Sequence, residues 1–318
     1  MSLSITAAVC TRNRKAFLVK CLDSLLRQTL AREAYEILVV DNGSSDGTRE
    51  VLQSYEARHG VRWIYEPVVG LSRARNTAWK HARTNYLGYI DDDAVAEKAW
   101  LEKALACFTR VRPEPVWVGG PIGLEWEGTP APWINEELCQ PLGKLYWGGA
   151  ARFLSKSERL GGGNSFYAVS FLSQLGGFNE NLGRKDVLLS GEETELQKRV
   201  QDRGHALYYH PKIAIHHFVP KGRMEPSWFY RRYFWGGVSD YIQKRSEAGK
   251  SCSRRMENSG SAVRYGEKPK LLRLVGNALD AAGLTSNTGS VIQARIYWSY
   301  VLGRLAGPGY FLLQRDRH

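Results

Sequence analysis

Glu36-Ile37-Leu38-Val39-Val40-Asp41-Asn42-Gly43-Ser44-Ser45-Asp46-Gly47-Thr48 is the stretch that decides the fold. Four consecutive branched apolar residues read as a short strand buried on both faces, the pattern of a parallel sheet. Turn formers follow at once, and Thr48–Arg58 reads as a helix that they open. A strand running through a polar turn into a helix is half of a βαβ unit. The same grammar recurs on either side. Ile5–Cys10 is a predicted strand, and Lys15–Gln28 a helix whose stripe is Phe17, Leu18, Cys21, Leu22, Leu25 and Leu26. Val61–Tyr65, Ser72–Arg83 and Tyr86–Ile90 continue as strand, helix and strand. The expected fold class is therefore α/β, a mostly parallel Rossmann-like sheet with right-handed crossovers.

Each predicted strand ends in polar, turn-forming residues: Thr11-Arg12-Asn13, Asp41-Asn42-Gly43, Glu66 to Gly70, and Asp91-Asp92-Asp93. In an open parallel sheet the carboxyl ends of strands share one edge, and ligands bind there. Four clusters distant in sequence are thus expected to meet in one crevice. Further on, Glu97–Arg110 reads as a helix, Val116–Gly119 as a strand and Gly119–Gly149 as loop. Ser165–Ser170 is a strand after Gly161-Gly162-Gly163-Asn164. Glu192–Arg203 is a helix, and Ala206–His210 and Ile213–His217 are strands. After Pro226 the chain turns aromatic, basic and helical, with a polar stretch over Lys244–Lys270 and two helices beyond. The expected organisation is a catalytic domain over 1–225 and a helical extension over 226–318.

The chain has 318 residues, of which 43% are hydrophobic, enough for a sizeable core. Its five cysteines are scattered without a C-x-x-C pair, as expected of reduced thiols in a cytoplasmic protein. Ile5–Cys10 is too short for a secretory signal and runs into Arg12 and Arg14. Val291–Leu313, interrupted by Gln293, Arg295, Arg304 and Pro308, is not expected to span a bilayer. The net charge of +12 is lopsided: from Lys221 onward there are 17 Lys and Arg against 7 Asp and Glu. A basic tail on a nearly neutral body points to an anionic partner, such as phospholipid, a lipid-linked phosphate or nucleic acid.

Three adjacent carboxylates after an apolar strand repel one another, and a divalent cation relieves that repulsion. Hard oxygen ligands suit Mg²⁺ or Mn²⁺. A solvated acidic turn is the competing reading of Asp91-Asp92-Asp93. Arg73 and Arg75 open the third predicted helix, where free N–H groups attract anions and a guanidinium adds a fork for phosphate. Two residues apart they point differently, so one is expected on a ligand, with Arg73 preferred, and the other in a structural role. Asp41 accepts from a base or ribose, or else closes a turn. Thr11 and Arg12, just after the first strand, are candidates to hold a nucleobase through backbone and side chain. Glu192 and Glu193 begin a helix, where either caps it or serves as a general base. His216-His217 ends a strand, so only one of the pair can reach a site.

Together V-C-T-R-N-R (Val9–Arg14), V-V-D-N-G-S-S-D-G-T (Val39–Thr48), G-L-S-R-A-R-N-T-A (Gly70–Ala78), Y-I-D-D-D-A (Tyr89–Ala94), G-G-F-N-E (Gly176–Glu180) and G-E-E-T-E-L-x-x-R (Gly191–Arg199) resemble glycosyltransferase family 2. The resemblance covers Ser4 to Arg223. It implies the GT-A nucleotide-diphospho-sugar transferase fold and inverting transfer from a nucleotide sugar, UDP-sugar favoured, to a carbohydrate or lipid-linked hydroxyl in polysaccharide or glycolipid synthesis. It implies that Thr11, Arg12 and Asp41 contact the nucleoside and Arg73 the donor. Asp91 and Asp93 would form the D-x-D, with Asp93 on Mn²⁺ or Mg²⁺ and Asp92 near the ribose. Glu193 stands where the family has an aspartate base in an E-D pair, and Glu192 is the alternative. His217, in H-x-V-P-x-x-R, would complete the metal shell.

Two other classes share these features. A sugar-phosphate nucleotidyltransferase would need a glycine-rich phosphate loop after the first strand, and Thr11-Arg12-Asn13-Arg14 contains no glycine. A non-catalytic anion- or membrane-binding protein would not need the full set of acidic clusters. Arg231 and Arg232 among Trp228, Phe229, Tyr230, Tyr233, Phe234 and Trp235 read as an interface segment for the inner face of a membrane, or as helices packing inward. No RNA-binding signature accompanies them, and nucleic acid is not expected as a partner.

Overall fold

The computed structural model describes residues 4–252 and 288–315. Two compact units emerge: the first comprises Met1–Glu127, Cys139–Asp186 and Glu192–Val219, the second Gly128–Leu138, Val187–Gly191 and Pro220–His318.

The first unit opens with β1 (Ile5–Thr11), α1 (Lys15–Leu26), β2 (Tyr35–Asp41), α2 (Thr48–His59), β3 (Arg62–Tyr65), α3 (Leu71–His81) and β4 (Tyr86–Asp91). β5 (Ala94–Ala96), α4 (Trp100–Arg110), β6 (Trp117–Gly119) and β7 (Ile122–Trp126) follow; the short α5 (Glu136–Cys139), next in the chain, has its first three residues in the second unit. β8 (Arg152–Phe153), β9 (Asn164–Ala168), α6 (Val169–Leu175), α7 (Glu192–Asp202), β10 (Tyr208–Tyr209) and β11 (Ile215–Val219) complete it. Eight strands form one sheet in the order β3-β2-β1-β4-β9-β6-β10-β8, and β5-β11-β7 form a second. β3, β2, β1 and β4 are parallel neighbours, whereas β9 runs antiparallel to both β4 and β6.

Helices on the sheet bury both faces of its central strands. Ile37, Leu38, Val39 and Val40 are fully buried, as are Ala7, Ala8 and Val9, which is why neither strand alternates in polarity. Leu18, Leu22 and Leu25 of α1 and Ala74 and Ala78 of α3 belong to the same core.

Two sequence-distant motifs are tied by hydrogen bonds. The Asn76 side-chain amide donates to Phe178 O (2.9 Å) and to Glu180 Oε1 (2.9 Å), and its Oδ1 accepts from Phe178 N (2.8 Å). Arg199 donates to Leu175 O (2.6 Å) and Gly177 O (2.7 Å), satisfying carbonyls at the end of α6, and pairs with Glu195 (2.7 Å). Its removal strands these carbonyls, so Arg199→Met is expected to lose about 2–3 kcal/mol in urea unfolding. A loss below about 0.5 kcal/mol, the level of ordinary surface substitutions, would show that the contacts contribute little.

Several boundaries differ from the sequence reading. Gly119–Gly149, expected to be loop, contains β7 and α5, because β7 finds a parallel partner in β11 that lies some ninety residues on in sequence. Ala94–Ala96, assigned to no element from sequence, pairs antiparallel with the same strand. The predicted strand Ser165–Ser170 is Asn164–Ala168, and its last residues already enter α6. The helix expected from Glu97 begins at Trp100.

In the second unit α8 (Pro226–Cys252) packs on the C-terminal helix Thr288–Arg315. Lys244–Cys252, read as the start of a polar stretch, is helical; the rest of that stretch and one of the two helices expected beyond it lie outside the described residues. Gly237 lies against the backbone at Tyr300 and Arg304, and Gly303 against the backbone at Phe234, so a Cβ at either glycine would collide with the facing helix. Asp240 accepts from Tyr300 Oη (2.5 Å) across the same seam. The aromatic run that suggested an interface is largely consumed by this packing. Trp228 and Phe229 are buried, Phe229 meets Trp133 edge-on at 5.2 Å, and Trp235 meets Tyr310 at 5.1 Å. Among the described residues no helix is long and apolar enough to cross a membrane.

Candidate active site

β1, β2 and β4 deliver their last residues to one sheet edge: Thr11 is the register partner of Asp41, and Cys10 that of Asp91. The acidic turn begins there. Asp92 and Asp93 are buried, while the Asp91 side chain is 41% exposed. The Thr11 hydroxyl donates to Asp92 Oδ2 (2.7 Å), and the Arg14 guanidinium donates to Asp92 Oδ1 (3.2 Å) and Asp93 Oδ2 (2.5 Å). Burial pushes the Asp92 carboxyl up to about 6; Arg14 opposes this, and the charges of Asp93 and Asp91 reinforce it.

β11 brings a histidine to the triplet. Phe218 N donates to Asp93 O (2.8 Å), which fixes the strand beside the turn. Strand alternation then separates the two histidines: His216 faces outward to Glu97 (2.8 Å), and buried His217 places Nε2 3.2 Å from Asp93 Oδ1. One ligand atom each from Asp91, Asp93 and His217 lies within 4.8 Å of the others. Two carboxylates and an imidazole suit a divalent ion of the Mn²⁺ type, since Mg²⁺ favours all-oxygen shells. The residues present therefore fit the ion that the acidic triplet called for.

Beside this cluster lies a second. Arg75 is buried between the rings of Tyr89 (5.8 Å) and Phe178 (5.5 Å). Its Nη1 donates to Glu192 Oε1 (2.8 Å), and its Nη2 is 3.9 Å from Asp91 Oδ1. Glu192 is buried at the start of α7, whereas Glu193 is partly exposed. Burial and the like charge of Glu193 push the Glu192 carboxyl up to about 8, against the pull of Arg75. The Gly161-Gly162-Gly163 loop presses on both clusters. A Cβ on Gly163 would meet the Asp91 carboxylate, which would have to shift to admit it.

The remaining sequence candidates fall as follows. Arg12 pairs with Asp186 (2.6 Å). Asp41 is buried and accepts from Ser44 N (3.0 Å), closing the turn after β2. Arg73, preferred from sequence as the ligand-facing arginine, pairs with Glu66 (3.2 Å) and Glu180 (3.2 Å) at a side-chain exposure of 43%, and Arg75 is set among the site carboxylates. A residue not singled out from sequence is Arg14. Its signal was a cation just past the first strand, but its partners lie 78 and 79 positions away. The His210 side chain accepts from Lys212 N (3.1 Å).

A parallel sheet flanked by helices, with a D-x-D turn closing its fourth strand, defines a GT-A glycosyltransferase fold. Residues 6–154 match the family described as Glycosyl transferase family 2. Among solved structures, the chain is similar to the mannosyltransferase PcManGT of Pyrobaculum calidifontis in complex with GDP-Man and Mn²⁺. The TM-score is 0.63 at 17% identity, over 96% of this chain and 87% of the other. GalNAc-T7 with UDP, GalNAc and Mn²⁺ gives a TM-score of 0.55 at 18% identity, over 71% of this chain and 45% of that one. Among sequences, validoxylamine A glucosyltransferase of Streptomyces hygroscopicus is 32% identical over 117 residues, which is 36% of this chain but only 28% of that protein. The glucosyl-dolichyl phosphate glucuronosyltransferase of Haloferax volcanii is 25% identical over 245 residues, 76% of this chain and 77% of that one.

Proposed function

We propose that this protein is an inverting, metal-assisted glycosyltransferase that moves a sugar from a nucleoside diphosphate to a hydroxyl acceptor. The observation carrying the reading is that Asp91, Asp93 and His217 gather at one sheet edge while Arg75 links Asp91 to the Glu192 cluster. In this reading Asp91, Asp93 and His217 hold Mn²⁺ or Mg²⁺, with Mn²⁺ favoured by the imidazole. Bound there, the ion supplies Lewis-acid stabilisation of charge on the departing diphosphate. Thr11 and Asp92 line the nucleoside side together with Arg12 and Asp41, and Arg73 serves the donor at the mouth of α3. A UDP-sugar is the favoured donor.

The base is Glu193. A base must meet the acceptor, and Glu193 is partly exposed whereas the Glu192 side chain is 4% exposed and clasped by Arg75. The acceptor hydroxyl oxygen attacks the anomeric carbon from the face opposite the leaving group. As that bond forms, the bond from the anomeric carbon to the diphosphate oxygen breaks, and its electron pair leaves with the nucleoside diphosphate. The hydroxyl proton passes to the Glu193 carboxylate. The acceptor is a carbohydrate or lipid-linked hydroxyl, consistent with work in polysaccharide or glycolipid synthesis.

Incubating the protein with a panel of nucleotide sugars and Mn²⁺ should release nucleoside diphosphate from one of them. Chelation should stop the release and added Mn²⁺ restore it. Release of pyrophosphate instead would replace this reading with nucleotidyl transfer.

A further inference from the structure

The C-terminal helix carries a second feature, separate from the sheet-edge site. Trp298, Leu302 and Leu305 are 44%, 56% and 72% exposed. Spaced four and three residues apart, they share one helix face. The opposite face is spent on packing, with Ile292 and Ile296 buried and Gly303 and Gly307 against Phe234 and Tyr241 of α8. Most other large apolar residues of this helical pair are covered, so three exposed ones on one stripe call for an occupant.

The charge around the stripe says which occupant. Arg295 and Arg304 on the same helix, and Arg231, Lys244 and Arg245 on α8, are exposed. Among the described side chains from Pro226 onward, the sole acidic one, Asp240, is bonded to Tyr300 Oη. The whole segment from Lys221 carries 17 Lys and Arg against 7 Asp and Glu. A tryptophan and two leucines within a cationic surface match a layer of anionic headgroups above acyl chains. They match a neutral or basic protein surface poorly.

We propose that this face of the C-terminal helix docks on an anionic phospholipid bilayer, lying in the interface plane. Trp298, Leu302 and Leu305 enter the headgroup–acyl boundary, and Arg295 and Arg304 pair with lipid phosphates. The helix cannot span, because charged residues and Pro308 interrupt it. Docking requires no donor, metal or turnover, so it stands or falls apart from the catalytic reading.

The test is flotation of the full chain with vesicles of phosphatidylglycerol and phosphatidylcholine, and with phosphatidylcholine alone, at low and raised salt. Binding is expected only with the anionic lipid and should weaken with salt. Leu302→Ser with Leu305→Ser should lower partitioning about 10-fold, since both leucines give up burial in the boundary. Arg295→Gln with Arg304→Gln should lower it similarly and flatten the salt dependence. All four side chains are exposed, so thermal unfolding should be unchanged; should the leucine pair fail to fold, the arginine pair carries the test. Absence of flotation on anionic vesicles at low salt overturns the proposal. So does flotation of both double variants equal to that of the unaltered chain. A concentration-dependent dimer in light scattering that the leucine changes abolish would assign the face to a second copy of this chain instead.

Discussion

Asp93→Ala should reduce sugar transfer by at least about 10³-fold, several kcal/mol of transition-state stabilisation, while the protein still folds. The size follows from where the carboxylate stands. One of its oxygens faces His217 Nε2 at 3.2 Å and the other Arg14, so it joins the prospective metal ligands to the cation after β1. Without it Asp91 and His217 remain as two ligands of a cluster of three. Folding should survive, because the substitution removes one of three adjacent carboxylates, and Arg14 keeps Asp92 as a partner. Mn²⁺ binding, followed by the paramagnetic signal of the free ion, should weaken in parallel. Near-normal turnover together with unchanged Mn²⁺ affinity would sink the assignment.

The contrast between Asp93 and Arg14 shows what the sequence discloses. Asp93 was legible because three carboxylates in a row after an apolar strand are a local anomaly. Strand–helix alternation further predicted which edge they share. Arg14 was not legible: one arginine in a turn has nothing local to mark it, and its meaning comes from Asp92 and Asp93 across the β1–β4 pairing. The same physics explains the strands that were missed. β5 and β7 are short and owe their existence to β11, a partner that periodicity within a window cannot see. β1, β2 and β4 needed no such help, because each carries its own buried apolar run. Arg73 and Arg75 fail to separate for a related reason. Both open α3, and which one enters the carboxylate cluster is decided by the rings of Tyr89 and Phe178. The aromatic segment after Pro226 was legible as aromatic and basic, with interface and inward packing both open, since its cover comes from Trp133 and the C-terminal helix.

Glu193→Gln and Glu192→Gln should part company, and the physics of a shared proton says how. Two adjacent carboxyl groups beside one arginine do not both ionise freely where water is excluded. Glu192, the more buried of the two, is held up to about 8 by burial and by Glu193. Near pH 7 it is therefore mostly protonated, and a neutral glutamine reproduces it. Glu192→Gln should retain transfer within a few-fold. Glu193→Gln removes the group that would accept the acceptor proton, so transfer should fall about 10²-fold or more while nucleotide binding persists. The pair also predicts a stability signature. A carboxyl whose folded value lies above its unfolded value favours folding most below the unfolded value of 4.5 and loses that contribution as pH rises through about 8. The native chain should accordingly lose thermal stability between pH 7 and 9, and Glu192→Gln should lose less over the same interval. Equal pH profiles would mean that Glu192 is already ionised against Arg75. Loss of transfer in Glu192→Gln with retention in Glu193→Gln would move the base to the buried residue and require α7 to turn it outward during catalysis.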